Sequence, residues 1–351
     1  MYICLLSRQI RKIILFTAFV ILINLCHSQI PNLDWNLSVG GTDFDVGKKV
    51  LSDNNNSFII IGKSASSDGD VEINKGLSDI VVARFDSLNN LLWEKTYGGS
   101  QVEDGLSIIP CENNGYLVGG FTYSNDGDVS ANYGSFDGLL IKLNIEGNLE
   151  WSKNYGGSSS DLITSTVESF DSGYLFTGNS FSNDFDIIDH IGDVDNSDLI
   201  IGKTDTLGNL LWIKSYGGEY WDGGNQIIRT HDSCYLVCGY LNYFDASYYI
   251  IKINESGELL WEKTFGGSGF DQAWSIFETE SGNIVVSGEA WSDDGDVVGQ
   301  HGSSDNWILF LDSLGNLLWQ IPLGGDRSRK WVSNFRNFGR ILTCCRFNYF
   351  S

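Results

Sequence analysis

The sequence predicts an all-β protein, a β-propeller of tandem four-stranded antiparallel blades, and three observations carry that expectation. First, tryptophans recur at Trp35, Trp93, Trp151, Trp212, Trp261 and Trp319, spaced by 58, 58, 61, 49 and 58 residues. A Gly-Gly pair follows each of them, as in Gly98-Gly99 and Gly156-Gly157. A period that long marks a supersecondary module repeated in tandem. Second, every period contains four short aliphatic and aromatic runs, which in the third unit read DLITSTVES, GYLFTGNS, DLIIGKTD and LLWIKSYGG. Runs of that length and composition are strands. Third, the joints are turn sequences. Asn113-Asn114-Gly115 and Asp171-Ser172-Gly173 link first to second strands, while Glu146-Gly147-Asn148 and Leu207-Gly208-Asn209 link third to fourth. Glycine and asparagine tolerate the positive φ of tight hairpins.

Counted from Trp35, the chain supplies a lone fourth strand and then five complete units. Length variation is confined to one place in the unit, the connection between second and third strands. In the regular units Asp70, Asp128 and Asp296 lie 35 residues after a repeat tryptophan, and Asp79, Asp137 and Asp305 follow nine residues later. The third unit keeps Asp186 at 35 but places Asp198 twelve residues on, and the fourth lacks the Asp-Gly-Asp-Val stretch altogether. Such variation is expected of a loop projecting from a fixed scaffold.

The array is flanked by two segments of different character. Residues 1–28 read as a secretory signal peptide: Arg8, Arg11 and Lys12 precede an apolar run from Ile13 to Leu25, too short for a comfortable membrane span. Leu25 is bulky where an acylated cysteine at 26 would need a small neighbour, which favours simple cleavage after Ser28. The repeat array occupies 29–325. Residues 326–351 carry six basic residues and two adjacent cysteines with no repeat pattern, and we expect a frameshift near Asp326 to have ended the array.

Between Gln29 and Gly325 the net charge is −31, against −23 for the whole chain. A surface of that sign repels nucleic acid and anionic lipid and attracts cations. It also keeps an extracellular protein soluble. Of seven cysteines only Cys111, Cys234 and Cys238 lie within the array, too few for a disulfide framework, so a packed core must hold the fold.

The acidic loops are the most suggestive chemistry. Asp68-Gly69-Asp70, Asp126-Gly127-Asp128 and Asp294-Gly295-Asp296, with Asp184-Phe185-Asp186 as a variant, each set two carboxylates one residue apart. With a third from Asp79, Asp137, Asp305 or Asp198, these are candidate oxygen ligands for Ca²⁺. The competing reading is that the aspartates cap turns through nearby backbone. A further acid position after each Gly-Gly, as at Asp45, Asp104, Asp161, Asp222 and Asp271, recurs in every unit and therefore reads as structural. The repeat tryptophans read as packing residues for the same reason. His190, His231 and His301 are isolated, with no HExxH and no paired metal spacing. No catalytic constellation is visible.

Units of the form GNLLWxKTYGG, GYLVxG, SNDGDV and DGLLIKL resemble the propeller-like repeats of large secreted bacterial proteins that end in a type IX secretion sorting domain. The resemblance spans residues 32–325 and implies a propeller fold and an exported or cell-surface location; it implies no shared activity, and the sorting domain is absent here. The Gly-x-Leu-Leu-Trp strand is also similar to that of quinoprotein-type propellers, but one strand motif carries no cofactor site. The expectation is a secreted or cell-surface, non-enzymatic binding or scaffold propeller, related to adhesion, without a cofactor unless Ca²⁺ occupies the acidic loops. Its partner is an extracellular protein or glycan, not nucleic acid, and the chain has no membrane span. The alternatives are a propeller enzyme, hydrolase or quinoprotein-like, and a truncated product without function.

Overall fold

The computed structural model describes residues 37–52, 57–112, 115–193 and 195–325, with four residues of the tail. Twenty strands form five four-stranded antiparallel sheets in strict chain order. The first sheet holds β1 (Asp45–Ser52), β2 (Phe58–Ser64), β3 (Asp79–Phe85) and β4 (Leu91–Tyr97). The second holds β5 (Glu103–Cys111), β6 (Gly115–Thr122), β7 (Asp137–Asn144) and β8 (Leu149–Tyr155). The third is built of β9 (Asp161–Glu168), β10 (Tyr174–Ser180), β11 (Asp198–Thr204) and β12 (Leu210–Tyr216). In the fourth, β13 (Gly223–Arg229) and β14 (Tyr235–Leu241) lead through a short 3-10 turn to β15 (Ser247–Ile253) and β16 (Leu259–Phe265). The fifth comprises β17 (Asp271–Glu278), β18 (Ile284–Ala290), β19 (Asp305–Leu311) and β20 (Leu317–Leu323).

Each sheet is thus one predicted unit, and the array is propeller-like. The lone fourth strand expected around Trp35 does not extend into the described residues, since 37–44 form no strand; Trp35 itself lies outside them. So do the signal segment and most of the tail, of which Asn337–Phe338 (β21) and Ile341–Leu342 (β22) pair as a two-stranded ladder. Among the described residues no helix is long and apolar enough to cross a membrane.

The core lies between blades. Four apolar clusters fill the four junctions of consecutive sheets: Ile59, Ile61 and Val82 meet Ile108, Val118 and Ile141 at the first, and Leu117 and Leu140 meet Ile163 and Phe176 at the second. Second and third strands are therefore covered on both faces, which is why β7 and β11 read as continuous apolar runs. Each buried Ile or Leu contributes roughly 1.5–3 kcal/mol. First strands also bond to one another across blades, Thr166 N–H to Ser107 Oγ at 3.1 Å and Ile276 N–H to Gln226 Oε1 at 2.8 Å.

The repeat tryptophan closes each junction from outside. Trp93, Trp151, Trp212 and Trp261 lie under the third-to-fourth turn of the next blade, against Gly147, Gly208, Gly257 and Gly315. At Gly147 φ is +77°, and an added Cβ would stand 2.9 Å from the Trp93 ring, so turn geometry and packing both require glycine. The tyrosine four residues after the tryptophan completes the lock: the Tyr155 hydroxyl donates to the Gly208 carbonyl at 2.6 Å, and that of Tyr216 to Gly257 at 2.6 Å. These are the packing roles the recurrence implied.

Candidate functional site

Hairpin turns occupy one end of the array. The other end carries the repeated Gly-Gly linkers between blades and the second-to-third loops, whose length varies.

The acidic loops lie at this end and are tied to backbone. Asp68 Oδ1 accepts from Thr42 N–H at 2.8 Å, while Asp126, Asp184 and Asp294 accept from Ser100, Ser158 and Ser268 N–H at 2.7 Å. The second carboxylate of each loop reaches the first glycine of the linker: Asp70 to Gly40, Asp128 to Gly98, Asp186 to Gly156 and Asp296 to Gly266, at 3.1–3.3 Å. The third carboxylates sit apart, fully or almost fully buried at the start of the third strands. Asp79, Asp137, Asp198 and Asp305 accept from the N–H of Lys75, Tyr133, Ile191 and His301 at 2.6–2.8 Å. Loop carboxylates thus bond the linker, while each third carboxylate bonds its own second-to-third loop and keeps a second oxygen, Oδ1, buried without a hydrogen-bond partner. No three His, Cys, Asp or Glu side chains among the described residues form a metal-holding group.

The acid after each Gly-Gly bonds back to the linker and to the second strand. Asp161 accepts from Gly157 N–H and Ser182 Oγ, both at 2.8 Å, and also from the Ser180 hydroxyl. In the second blade Glu103 fills this place, accepting from Gly99 N–H at 2.8 Å and from Thr122 Oγ1 at 2.6 Å. Asp104, the residue the sequence suggested, is one position further on and pairs instead with Lys48 and Lys63 at 3.3 and 3.5 Å. Burial raises the carboxyl of Asp79 to about 6, and the neighbouring Glu103 charge pushes it the same way. Asp137, facing Asp161, is likewise raised by burial to about 6.

The histidines do not stand free in solvent as a group. The His190 ring is buried, 3.1 Å from Asp198, whereas those of His231 and His301 are exposed beside Glu278 and Asp305. Among the described residues Cys111, Cys234 and Cys238 are free thiols, and burial lifts that of Cys111 to about 11.

With repeated acids and tryptophans absorbed by the scaffold, a second set of positions emerges. Each first strand has a β-bulge that leaves one residue unpaired: Lys48, Leu106, Thr164, Asn225 and Trp274. Opposite each bulge is a glycine, as at Gly62, where a Cβ would collide with the Val46 carbonyl; the bulge exists because the backbones approach so closely. Bulges re-aim side chains, and here Lys48 and Trp274 are exposed while Leu106, Thr164 and Asn225 are half-buried. Thr164 and Asn225 reach the next blade's backbone, the Thr164 hydroxyl donating to Gly224 O at 2.6 Å and the Asn225 amide to Ala273 O at 2.7 Å. Sequence reading missed this set, yet a signal was present: all five lie 13 residues after a repeat tryptophan, and no two are alike.

Around these positions the blades differ in what they present. Blades one and two present Lys48, Lys63 and Asp104 as a charged cluster. Aromatic rings gather at this end in blade two, where Phe121, Tyr123 and Phe136 meet with centroids 5.0–6.1 Å apart, and form a longer row across blades three to five, where Phe181, Trp221, Tyr243 and Phe270 make T-shaped and tilted contacts at 5.2–5.8 Å. Beside this row opens a cleft of about 620 Å³ whose walls include Tyr240, Tyr243, Phe270, Trp274 and Trp291, with Gln272 and Glu289 among them. Trp274 and Trp291 are 39% and 43% exposed, although large apolar rings are normally buried. A separate space of about 370 Å³ lies between the first strands of four blades, lined by residues such as Leu51, Ile108, Thr166 and Ile227.

No family model matches this chain. Regulatory protein FlaEY of Caulobacter vibrioides is 26% identical over 155 residues, 41% of this chain and 16% of that protein's length. The chain therefore spans about a sixth of the curated relative. Among solved structures, the WD40 domain of Neurospora crassa Pan2 aligns over 80% of this chain and 66% of its own, at 11% identity and a TM-score of 0.47. A protein of unknown function from Dyadobacter fermentans aligns over 82% and 85%, at 9% identity and a TM-score of 0.46.

Proposed function

We propose that this protein is exported and acts as a non-enzymatic binding or scaffold propeller at the cell surface, in an adhesion-related role, with the loop end of the blades as its contact face. The observation that carries this reading is the bulge set. Scaffold positions repeat from blade to blade, while the bulge residues at 48, 106, 164, 225 and 274 differ in every blade, with Lys48 and Trp274 exposed. Variation confined to one face of a constant scaffold is how binding surfaces are built. The repeated acids favour binding over catalysis, because they recur from blade to blade and each takes a linker or loop N–H, whereas a catalytic group is needed once. Export rests on the basic and apolar pattern of residues 8–25, and the strongly acidic composition suits an extracellular protein.

The test has two arms. Fractionation of producing cells should place the protein in the medium or on the outer surface; recovery only in the cytosol overturns the export reading. Labelled protein should bind producing or neighbouring cells, and replacing outward residues at the loop end should abolish that binding. Equal loss on replacing residues at the hairpin end, such as Asp86 or Asp312, would mean that the wrong face has been chosen.

A further inference from the structure

We infer that the cleft between the fourth and fifth blades binds a neutral glycan through pyranose stacking on Trp274 and Trp291. The inference rests on the binding role proposed above and adds a ligand class to it. Neither tryptophan belongs to the repeat set, four of whose rings, Trp93, Trp151, Trp212 and Trp261, are packed under the turns of neighbouring blades. These two instead stand on the rim of an open cleft, where each leaves a large apolar face to water. Exposed apolar area of this kind marks a contact site. Trp291 is also held in place: its Nε1–H donates to Glu289 Oε1 at 2.6 Å, which fixes the indole plane beside the cleft. A fixed ring loses little freedom when a ligand stacks on it.

Polar groups between the rings narrow the chemistry. The Gln272 amide lines the cleft and makes no hydrogen bond to the described residues, so a donor and an acceptor remain for a ligand. Asn225 spends its amide N–H on the Ala273 carbonyl and keeps its own carbonyl oxygen. Glu289 has a second carboxylate oxygen beyond the one that takes the indole proton. Flat aromatic faces flanked by planar side-chain amides and a carboxylate match a sugar ring, which offers an apolar C–H face and a rim of hydroxyls that both donate and accept. An extended peptide would use unpaired strand edges instead, and the cleft is walled by side chains. Charge excludes acidic sugars. With a chain net charge of −23 and Glu289 in the wall, a uronate or sulfate would meet repulsion with no basic residue lining the cleft to offset it.

The experiment is titration of the intact chain with neutral tetrasaccharides of β-1,4- and β-1,3-linked glucose, mannose, xylose, galactose and N-acetylglucosamine. Binding is read by tryptophan fluorescence and calorimetry. At least one should bind, and Trp274→Ala and Trp291→Ala should each weaken it about tenfold or more. Trp319→Ala, at the outer strand of the same blade, should leave it unchanged. Trp291 lies beyond the end of β18, so its replacement tests the site even if the bulge variant at 274 fails to fold. Absence of binding to the whole panel, binding indifferent to both variants, or tighter binding of a sulfated or uronic oligosaccharide would each overturn the inference. Failure here is separable from failure of the binding role. If labelled protein adheres to cells, and adhesion survives periodate but not protease, the glycan assignment falls and the binding propeller stands. If it adheres to no cells, the binding role falls as well.

Discussion

The junctions inside the array and the free flank of the first blade are made from the same repeat and behave oppositely. Val50, Ile108, Thr166, Ile227 and Ile276 occupy one position of the first strand, yet Val50 is 55% exposed and the others 0–3%. Nothing in the local sequence accounts for that difference; it comes from whether a preceding blade lies against the strand. The acids after Gly-Gly show the same split. Burial dominates at Asp161, Asp222 and Asp271 and raises their carboxyls. At Asp45 burial also pushes upward but is outweighed by hydrogen bonds from Ser64, Gly41 and Ser66, and the group sits below the usual range. A repeat unit therefore acquires its energetics from its neighbour, as stacked modules do.

The largest effect that probes this contrast is cavity formation at a junction. Ile108→Ala should destabilise the array by about 2–4 kcal/mol, whereas Val50→Ala should cost less than about 0.5 kcal/mol as an exposed substitution. Urea unfolding measures both, and equal losses would show that the first blade's flank is covered in solution. Next comes pH. Asp79 and Asp137, raised by burial to about 6, bind protons in the folded state that the unfolded chain binds only near 3.8. Their contribution is fully present below that unfolded value and is lost as pH rises through about 6. The urea midpoint should therefore rise between pH 7.5 and 5, and Asp79→Asn with Asp137→Asn should flatten that rise by about 1 kcal/mol per site. Asp45 works in the other direction: its stabilisation is present above 3.8 and fades as pH falls through its lower folded value. An unchanged profile in the double variant would mean that these carboxylates are ionised in the folded protein across this range.

A smaller difference exists among the junctions themselves. Tyr155 and Tyr216 donate to the turn of the next blade, but Phe265 holds this place at the fourth junction and has no hydroxyl to give. Tyr155→Phe should cost about 1 kcal/mol. Phe265→Tyr should recover up to about that amount, read as a raised unfolding midpoint, if the Gly315 carbonyl is as accessible as its counterparts.

The five sheets, their strand order and the packing role of the repeat tryptophans were all legible in the sequence, because period, turn glycines and apolar runs are local signals. The acid of the second blade was misplaced by one residue, at Asp104 instead of Glu103, because in Glu-Asp either residue fits the pattern. Only the hydrogen bonds to Gly99 and Thr122 decide between them. The recognition face was hidden for a different reason. A bulge residue is defined by its partner strand, so Trp274 looks like any strand residue until Gly288 is placed opposite. The burial of His190 against Asp198 likewise depends on a loop three residues longer than its counterparts, whose path the sequence does not specify.

The acidic loops supply the smallest test of the contrast. Asp126 and Asp128 staple the linker at the first junction by the same two bonds that Asp68 and Asp70 make at the free flank. At the junction, however, Lys75 of the preceding blade also pairs with Asp128. Losing Asp128 therefore frees a linker N–H and a lysine together, while losing Asp70 removes only the first contact. Asp128→Ala should cost about 1 kcal/mol and Asp70→Ala about half as much, with chemical denaturation as the measure. Calcium should not change either number. Each carboxylate of the pair already accepts one linker N–H and would have to loosen it to take a cation, so millimolar Ca²⁺ should leave the thermal midpoint in place. A rise that Asp126→Ala removes would return the loops to metal binding.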